Sequence, residues 1–261
     1  MMKRLLLFSL ALALLGMTAA RADENVRALQ NKLKAGGYFF GKVNGTFEAE
    51  TAAALTRYQI RNGLPISGRL DSETAQALGV ETSAAADAPP QTDPETWRRL
   101  RRDEKQRPPK IKLRKKLPGT ADAPAADESE TATDFTPTFT LSRERLRDYV
   151  AAFVLAGLDP EADAELEFFA DRVRYFGKKE VDRAKIRRDL EHYNRRWRER
   201  RFWLAGEIEI QPPQPDGLLR VTFPLRYELQ NGDKKKSGRV EKTLELEVRG
   251  DDLVIVGVDE R

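Results

Sequence analysis

Hydrophobic positions divide this 261-residue chain into four stretches of different rhythm. Leu5 to Met17 is an almost unbroken apolar run. Residues 24–80 carry apolar side chains at helical spacing in short blocks, with Val26, Leu29 and Leu33 on one face and Ala54, Leu55 and Tyr58 on another. Residues 81–138 hold few large apolar residues and many Ala, Pro, Thr, Asp, Lys and Arg, too little apolar surface to offset the entropy of ordering. They are expected to be a disordered linker between two folded units.

From Phe139 helical spacing returns and then yields to alternation. Ser142 is placed to cap a helix whose inner stripe is Leu146, Tyr149, Val150, Phe153 and Val154. Asp159 and Pro160 begin a second helix running through Leu166, Phe169 and Ala170. Val173 and Tyr175 form a short strand, and Asp182 caps a third helix with Ile186, Leu190, Tyr193 and Trp197 inside. Strands follow at Phe202 to Gln211, Leu218 to Gln230, Val240 to Arg249 and Leu253 to Val258, with turns at Asn231-Gly232 and Gly250 to Asp252. Helices followed by strands predict an α+β layer fold over residues 139–261.

The sharpest signal is an internal repeat. Gly45 to Leu55 and Gly68 to Leu78 match position for position as G-x-(F/L)-(E/D)-x-E-T-A-x-A-L. Asn44-Gly45 and Ser67-Gly68 are turn dipeptides, Phe47 and Leu70 apolar anchors, and Asp71, with Glu48 more weakly, favours a helix start. With the helix at Val26 to Leu33 this makes a small all-α three-helix repeat bundle. Val26-Arg-x-Leu-Gln30, Gly37-Tyr38-Phe39-x-Gly41, Val43 to Gly45, Thr51, Tyr58-Gln59, Gly63-Leu64, Ser67-Gly68 and Thr74 to Leu78 resemble the peptidoglycan-binding domain 1 family. The resemblance spans residues 24–80 and implies attachment to cell-wall glycan or peptide stems. This chain has Asn44-Gly45 and Ser67-Gly68 where that family usually has Asp-Gly. Tyr38, Phe39, Asn44, Arg57 and Gln59 are the candidate wall-binding residues, since rings and amides suit a sugar and peptide polymer. Against this, Tyr38, Phe47 and Tyr58 also fit as core aromatics, and Gln59 as the tie of a turn.

Composition then narrows the compartment and the chemistry. Lys3, Arg4, the apolar run and Ala20-Arg21-Ala22 read as a signal peptide over residues 1–22. The run is shorter than the roughly 20 residues of a membrane span, so no transmembrane segment is expected after cleavage, and the location is the periplasm or cell wall. The chain has 46 basic and 42 acidic residues, and cleavage removes Lys3, Arg4 and Arg21 but no acid. The mature chain is thus close to neutral, which argues against a nucleic-acid partner. Charge is local instead: Trp97 to Arg102 and Lys110 to Lys116 are basic and Ala121 to Asp134 acidic, so the linker is either a solvated tether or a weak binder of anionic polymers.

Phe168 to Gly177 and Tyr193-x-x-Arg196-Trp197 resemble the NTF2-like superfamily, implying three helices packed on a curved antiparallel sheet that forms a cone. The cone-pocket candidates are Tyr149, Phe169, Tyr175, His192, Tyr193, Trp197 and Trp203, with His192, Asp171 or Asp189 as the acid or base if chemistry occurs there. With no Cys and one His, neither a thiol nucleophile nor a multi-histidine zinc site can be assembled, and no cofactor or metal is expected. The sequence therefore predicts an envelope protein that binds peptidoglycan and presents its second domain to a small molecule or a protein. The alternative is an enzyme acting on a small apolar or wall-derived substrate in the cone.

Overall fold

The computed structural model describes residues 24–81, 93–102, 142–177, 180–211, 216–250 and 252–261. The signal-peptide reading, the second basic run and the acidic stretch lie outside these residues. The first unit consists of α1 (residues 24–35), α2 (Ala49–Arg61) and α3 (Ser72–Leu78). Leu29, Leu33, Phe39, Ala54 and Leu55 form its small core. Asp71 caps α3 by accepting from Thr74 N at 2.8 Å, whereas Glu48, at the same place before α2, makes no side-chain cap.

The repeat is built around two glutamines. Gln30 Nε2 donates to Asn44 Oδ1, Thr46 O and Thr51 Oγ1, and its Oε1 accepts from Asn44 N and Gly45 N. Gln59 does the same one repeat later: Nε2 donates to Ser67 Oγ, Arg69 O and Thr74 Oγ1, and Oε1 accepts from Ser67 N and Gly68 N. Each glutamine thus fastens a turn to the helix after it, and satisfies buried backbone groups that would otherwise be orphaned. Both turn glycines need their freedom, with φ of 79° at Gly45 and 67° at Gly68.

The second unit has α5 (Arg143–Ala156), α6 (Ala162–Leu166) and α7 (Arg183–Arg196), with β1 (Phe169–Tyr175), β2 (Glu180–Asp182), β3 (Glu199–Leu204), β4 (Glu209–Gln211), β5 (Leu219–Asn231), β6 (Lys234–Arg249) and β7 (Asp252–Glu260). Ser142 and Asp182 cap α5 and α7 as expected. The sheet order is β2-β1-β7-β6-β5-β3, with β4 also on β5. All pairings are antiparallel, as expected of the sheet, except β1 with β7, which is parallel. Along β5, Leu219, Val221, Phe223, Leu225 and Leu229 are buried on the inner face.

Four expectations of extent change. The second helix stops at Leu166, and Phe169 and Ala170 belong to β1, because the helical spacing of Leu166, Phe169 and Ala170 also fits a buried strand start. The strand expected over Phe202 to Gln211 is two strands, broken around Gly206. β6 begins at Lys234, six residues early, because the two-residue turn after Asn231 registers the polar Lys234 to Gly238 run directly on β5.

The fourth change concerns the linker. Pro94–Arg102 is a helix, α4, inside the stretch read as disordered. Trp97 and Leu100 share its inner face and enter the same core as Ala53, Ile60 and Ile66 of the first unit and Leu146, Tyr149 and Leu155 of the second. Arg101 seals it with a bidentate pair to Asp252 at 2.8 Å and donates to Glu167 O and Leu253 O, and Arg98 pairs with Glu167. Arg98 and Arg101 of the basic cluster are therefore spent on internal contacts.

The two units also meet directly. Arg57 Nε donates to Asp148 Oδ2 at 2.9 Å with both side chains almost wholly buried, and Arg61 pairs with Glu144. Ile66 N donates to Phe202 O at 2.9 Å, and Arg201 pairs with Glu73. The Gly68 turn packs so closely on α5 that an added Cβ would stand 3.5 Å from Leu155.

Candidate functional site

Two regions can hold a ligand. The first is what remains exposed of the repeat bundle. Because the second turn is packed on α5, only the first turn, around Asn44, Thr46 and Phe47, is freely presented. Phe47, read from sequence as an anchor, is 44% exposed. It borders a groove of about 220 Å³ shared with Ser67, Arg69, Asp93, Thr96 and Leu155.

The five sequence candidates separate accordingly. Asn44 is exposed, although its Oδ1 is occupied by Gln30 and Thr46. Tyr38 is half-buried, edge-on to Tyr58 at 5.3 Å with the Arg61 guanidinium over its ring at 5.5 Å. Phe39 is buried in the core of the first unit and offers no face to a polymer. Arg57 is 1% exposed and joins the two units, and Gln59 is wholly buried as the tie of its turn. Those three have structural positions: Phe39 is enclosed in the loop between α1 and α2, and Arg57 and Gln59 on the buried side of α2.

The second region is a cavity of about 340 Å³ inside the cone, enclosed by α5, α6, α7 and the inner face of the sheet. Its size falls at the small end of the roughly 300–1,000 Å³ of ordinary ligand pockets. Among the described residues eight aromatic side chains line it, including Phe153, Phe169, Tyr193, Trp197 and Phe202. Phe176 stands at its rim, 38% exposed, with a φ of 51° that is strained for a bulky residue.

Of the pocket candidates, Phe169, Tyr175, Tyr193 and Trp197 line this cavity. Tyr149 does not: it lies one turn earlier on α5, buried, its hydroxyl donating to Leu253 O at 3.1 Å. His192 is exposed on α7, one position off the inner stripe. Trp203 follows Phe202 on β3 and therefore faces the other side of the sheet, flanked by the guanidinium groups of Arg226 at 3.9 Å and Arg201 at 5.0 Å.

The residue that sequence reasoning missed is Glu165. It sits in the short helix α6 between the buried Ala164 and Leu166, a position that reads as helix surface, yet its carboxylate turns over Gly157 into the cavity. A methyl group at Gly157 would stand 3.3 Å from Glu165 Oε2, a tight approach that glycine avoids. Burial pushes its pKa above the ordinary carboxylate value, opposed by Lys242 and Arg200. Burial also raises Tyr175 and Tyr193, with Glu165 adding to the effect. The other lining acids are paired, Glu260 with Lys242 at 3.5 Å and Asp189 with Lys185. Among the described residues no group of three or more His, Asp or Glu side chains could hold a metal, and no helix is long and apolar enough to cross a membrane.

Comparison with known proteins agrees with the division into two units. Residues 22–78 match the family model described as "Putative peptidoglycan binding domain". Over 57 residues the chain is 42% identical to a spore cortex-lytic enzyme of Bacillus cereus, a match covering 22% of each protein, so the chain spans about a fifth of that relative. The structures similar to the second unit are distant. One is a calcium/calmodulin dependent protein kinase II association domain from Xanthomonas campestris, 10% identical, with a TM-score of 0.40, covering 47% of this chain and 89% of that one. Another is an NTF2-like protein with a cystatin-like fold from Novosphingobium aromaticivorans, 15% identical, with a TM-score of 0.36, covering 45% and 79%. The α+β cone is defined by the strand order and helix packing given above.

Proposed function

We propose that the chain is an exported cell-envelope protein that binds peptidoglycan through residues 24–80 and holds an α+β ligand-binding cone against the wall. The match of residues 22–78 to the peptidoglycan-binding family carries this reading. Its likeness to part of a cortex-lytic enzyme supports it, since that relative is named for lysing the spore cortex. The exposed first turn, with Tyr38, Asn44 and Phe47, is the face offered to the polymer: a ring to stack on sugar and polar groups to hydrogen-bond.

Sedimentation with purified sacculi stripped of accessory polymers tests the reading. The protein should pellet with them, stay bound in moderate salt and be released by muramidase digestion. Release by salt alone would show binding through charge and refute it. The second reading, an enzyme using the cone, is favoured by the carboxyl of Glu165 inside an apolar cavity, where a general acid or base would stand.

A further inference from the structure

We propose that the cone cavity binds a small, largely apolar amine in its cationic form, with the ammonium paired to Glu165 and the apolar part held among the aromatic walls. This rests on the reading of the cone as a ligand pocket and specifies its ligand class.

Three observations converge on that chemistry. Eight aromatic side chains line the cavity, and a ring whose face meets a cation attracts it. The protein's own cations already use those faces: Lys242 Nζ stands 5.8 Å from the centre of the Phe153 ring, and Lys236 Nζ 5.7 Å from that of Tyr227. Of the three lining acids, Glu260 and Asp189 have lysine partners, while among the described residues Glu165 forms no ion pair within 4.0 Å. Lys242 and Arg200 act on Glu165 only from beyond ion-pair distance, so its buried ionised form stays disfavoured, and a cation entering the cavity supplies the close partner.

An anion would meet Glu165, and of the two lysines that line the cavity Lys242 is already paired with Glu260 while Lys236 stands over the Tyr227 ring. A neutral apolar molecule could occupy the cavity but would leave Glu165 as it is.

The test uses the full chain and three probes sharing one ring: 2-phenylethylamine, 2-phenylethanol and phenylacetate, compared by saturation-transfer NMR and titration calorimetry. The amine should bind at least about tenfold more tightly than the alcohol, and phenylacetate more weakly than either. In the isosteric Glu165→Gln variant the advantage of the amine should vanish, while retained binding of the alcohol shows that the cavity is intact. An amine no tighter than the alcohol, or an advantage that survives Glu165→Gln, would overturn the assignment of ligand class while leaving the cone as a pocket. Failure of all three probes to bind would remove both the class and the pocket reading.

Discussion

Arg57 shows how one residue type in one pattern can support two readings that only packing separates. From sequence it is a polar side chain on the wall-binding unit, well placed to touch a polymer. In the structure it is the buried half of an ion pair with Asp148, 91 positions away, and no local pattern could reveal that partner. Asp148→Ala would strand the guanidinium in the core, and removing one partner of a buried pair costs about 3–5 kcal/mol. Urea unfolding of the variant should show a loss of that size; a loss below about 1 kcal/mol would mean the pair is solvated. Glu165 was illegible for the converse reason, since an acid on a short helix ordinarily faces water. Its raised pKa fixes the sign of its effect on stability. The folded state favours the protonated form, so its contribution is fully present below the unfolded carboxylate value and is lost as pH rises through the higher folded value. Glu165→Gln should therefore be more stable than the natural chain at neutral pH and converge with it in mild acid, as thermal unfolding across pH will show. Parallel curves would mean that Glu165 titrates as an ordinary carboxylate.

At the scale of elements, what could be read from the chain was whatever local rules enforce. The caps at Ser142, Asp71 and Asp182, the Asn231-Gly232 hairpin and the inner face of β5 all follow from short-range pattern and stand where the sequence puts them. Elements fixed by a distant partner were missed or misjudged: the polar start of β6 exists because β5 templates it, and Phe169 is a strand residue because β7 lies beside it. Helix α4 is the sharpest case. Nine residues with four arginines read as linker, and only Trp97 and Leu100, three apart, hint at an inner face. Its order comes from the core it enters. Trp97→Ala should cost about 3–5 kcal/mol by the cavity it leaves. It should also raise amide hydrogen exchange along residues 94–102. Unchanged exchange there would show that α4 does not depend on that core.

The whole molecule differs most from what the chain suggested. Two folded units on a long tether would move independently, but a shared core, the Arg57–Asp148 pair, the Ile66 to Phe202 hydrogen bond and the Arg101 clamp make the described residues one packed body. On the proposed function, the packing also decides which face is offered to the wall: the second turn of the repeat is packed on α5, leaving the first turn, with Asn44 and Phe47, exposed. A cone held this way would keep a fixed orientation to the peptidoglycan. It follows that wall binding at the first unit must stabilise the second, because a ligand that binds only the native state raises the stability of everything that unfolds with it. The three tryptophans, Trp97, Trp197 and Trp203, all lie outside residues 24–80, so their fluorescence reports the cone, α4 and the core that α4 shares with the first unit. The decisive measurement is the thermal midpoint of tryptophan fluorescence with and without soluble peptidoglycan fragments. The account predicts that saturating fragments raise that midpoint by several degrees in one cooperative transition; a midpoint that does not move would contradict it.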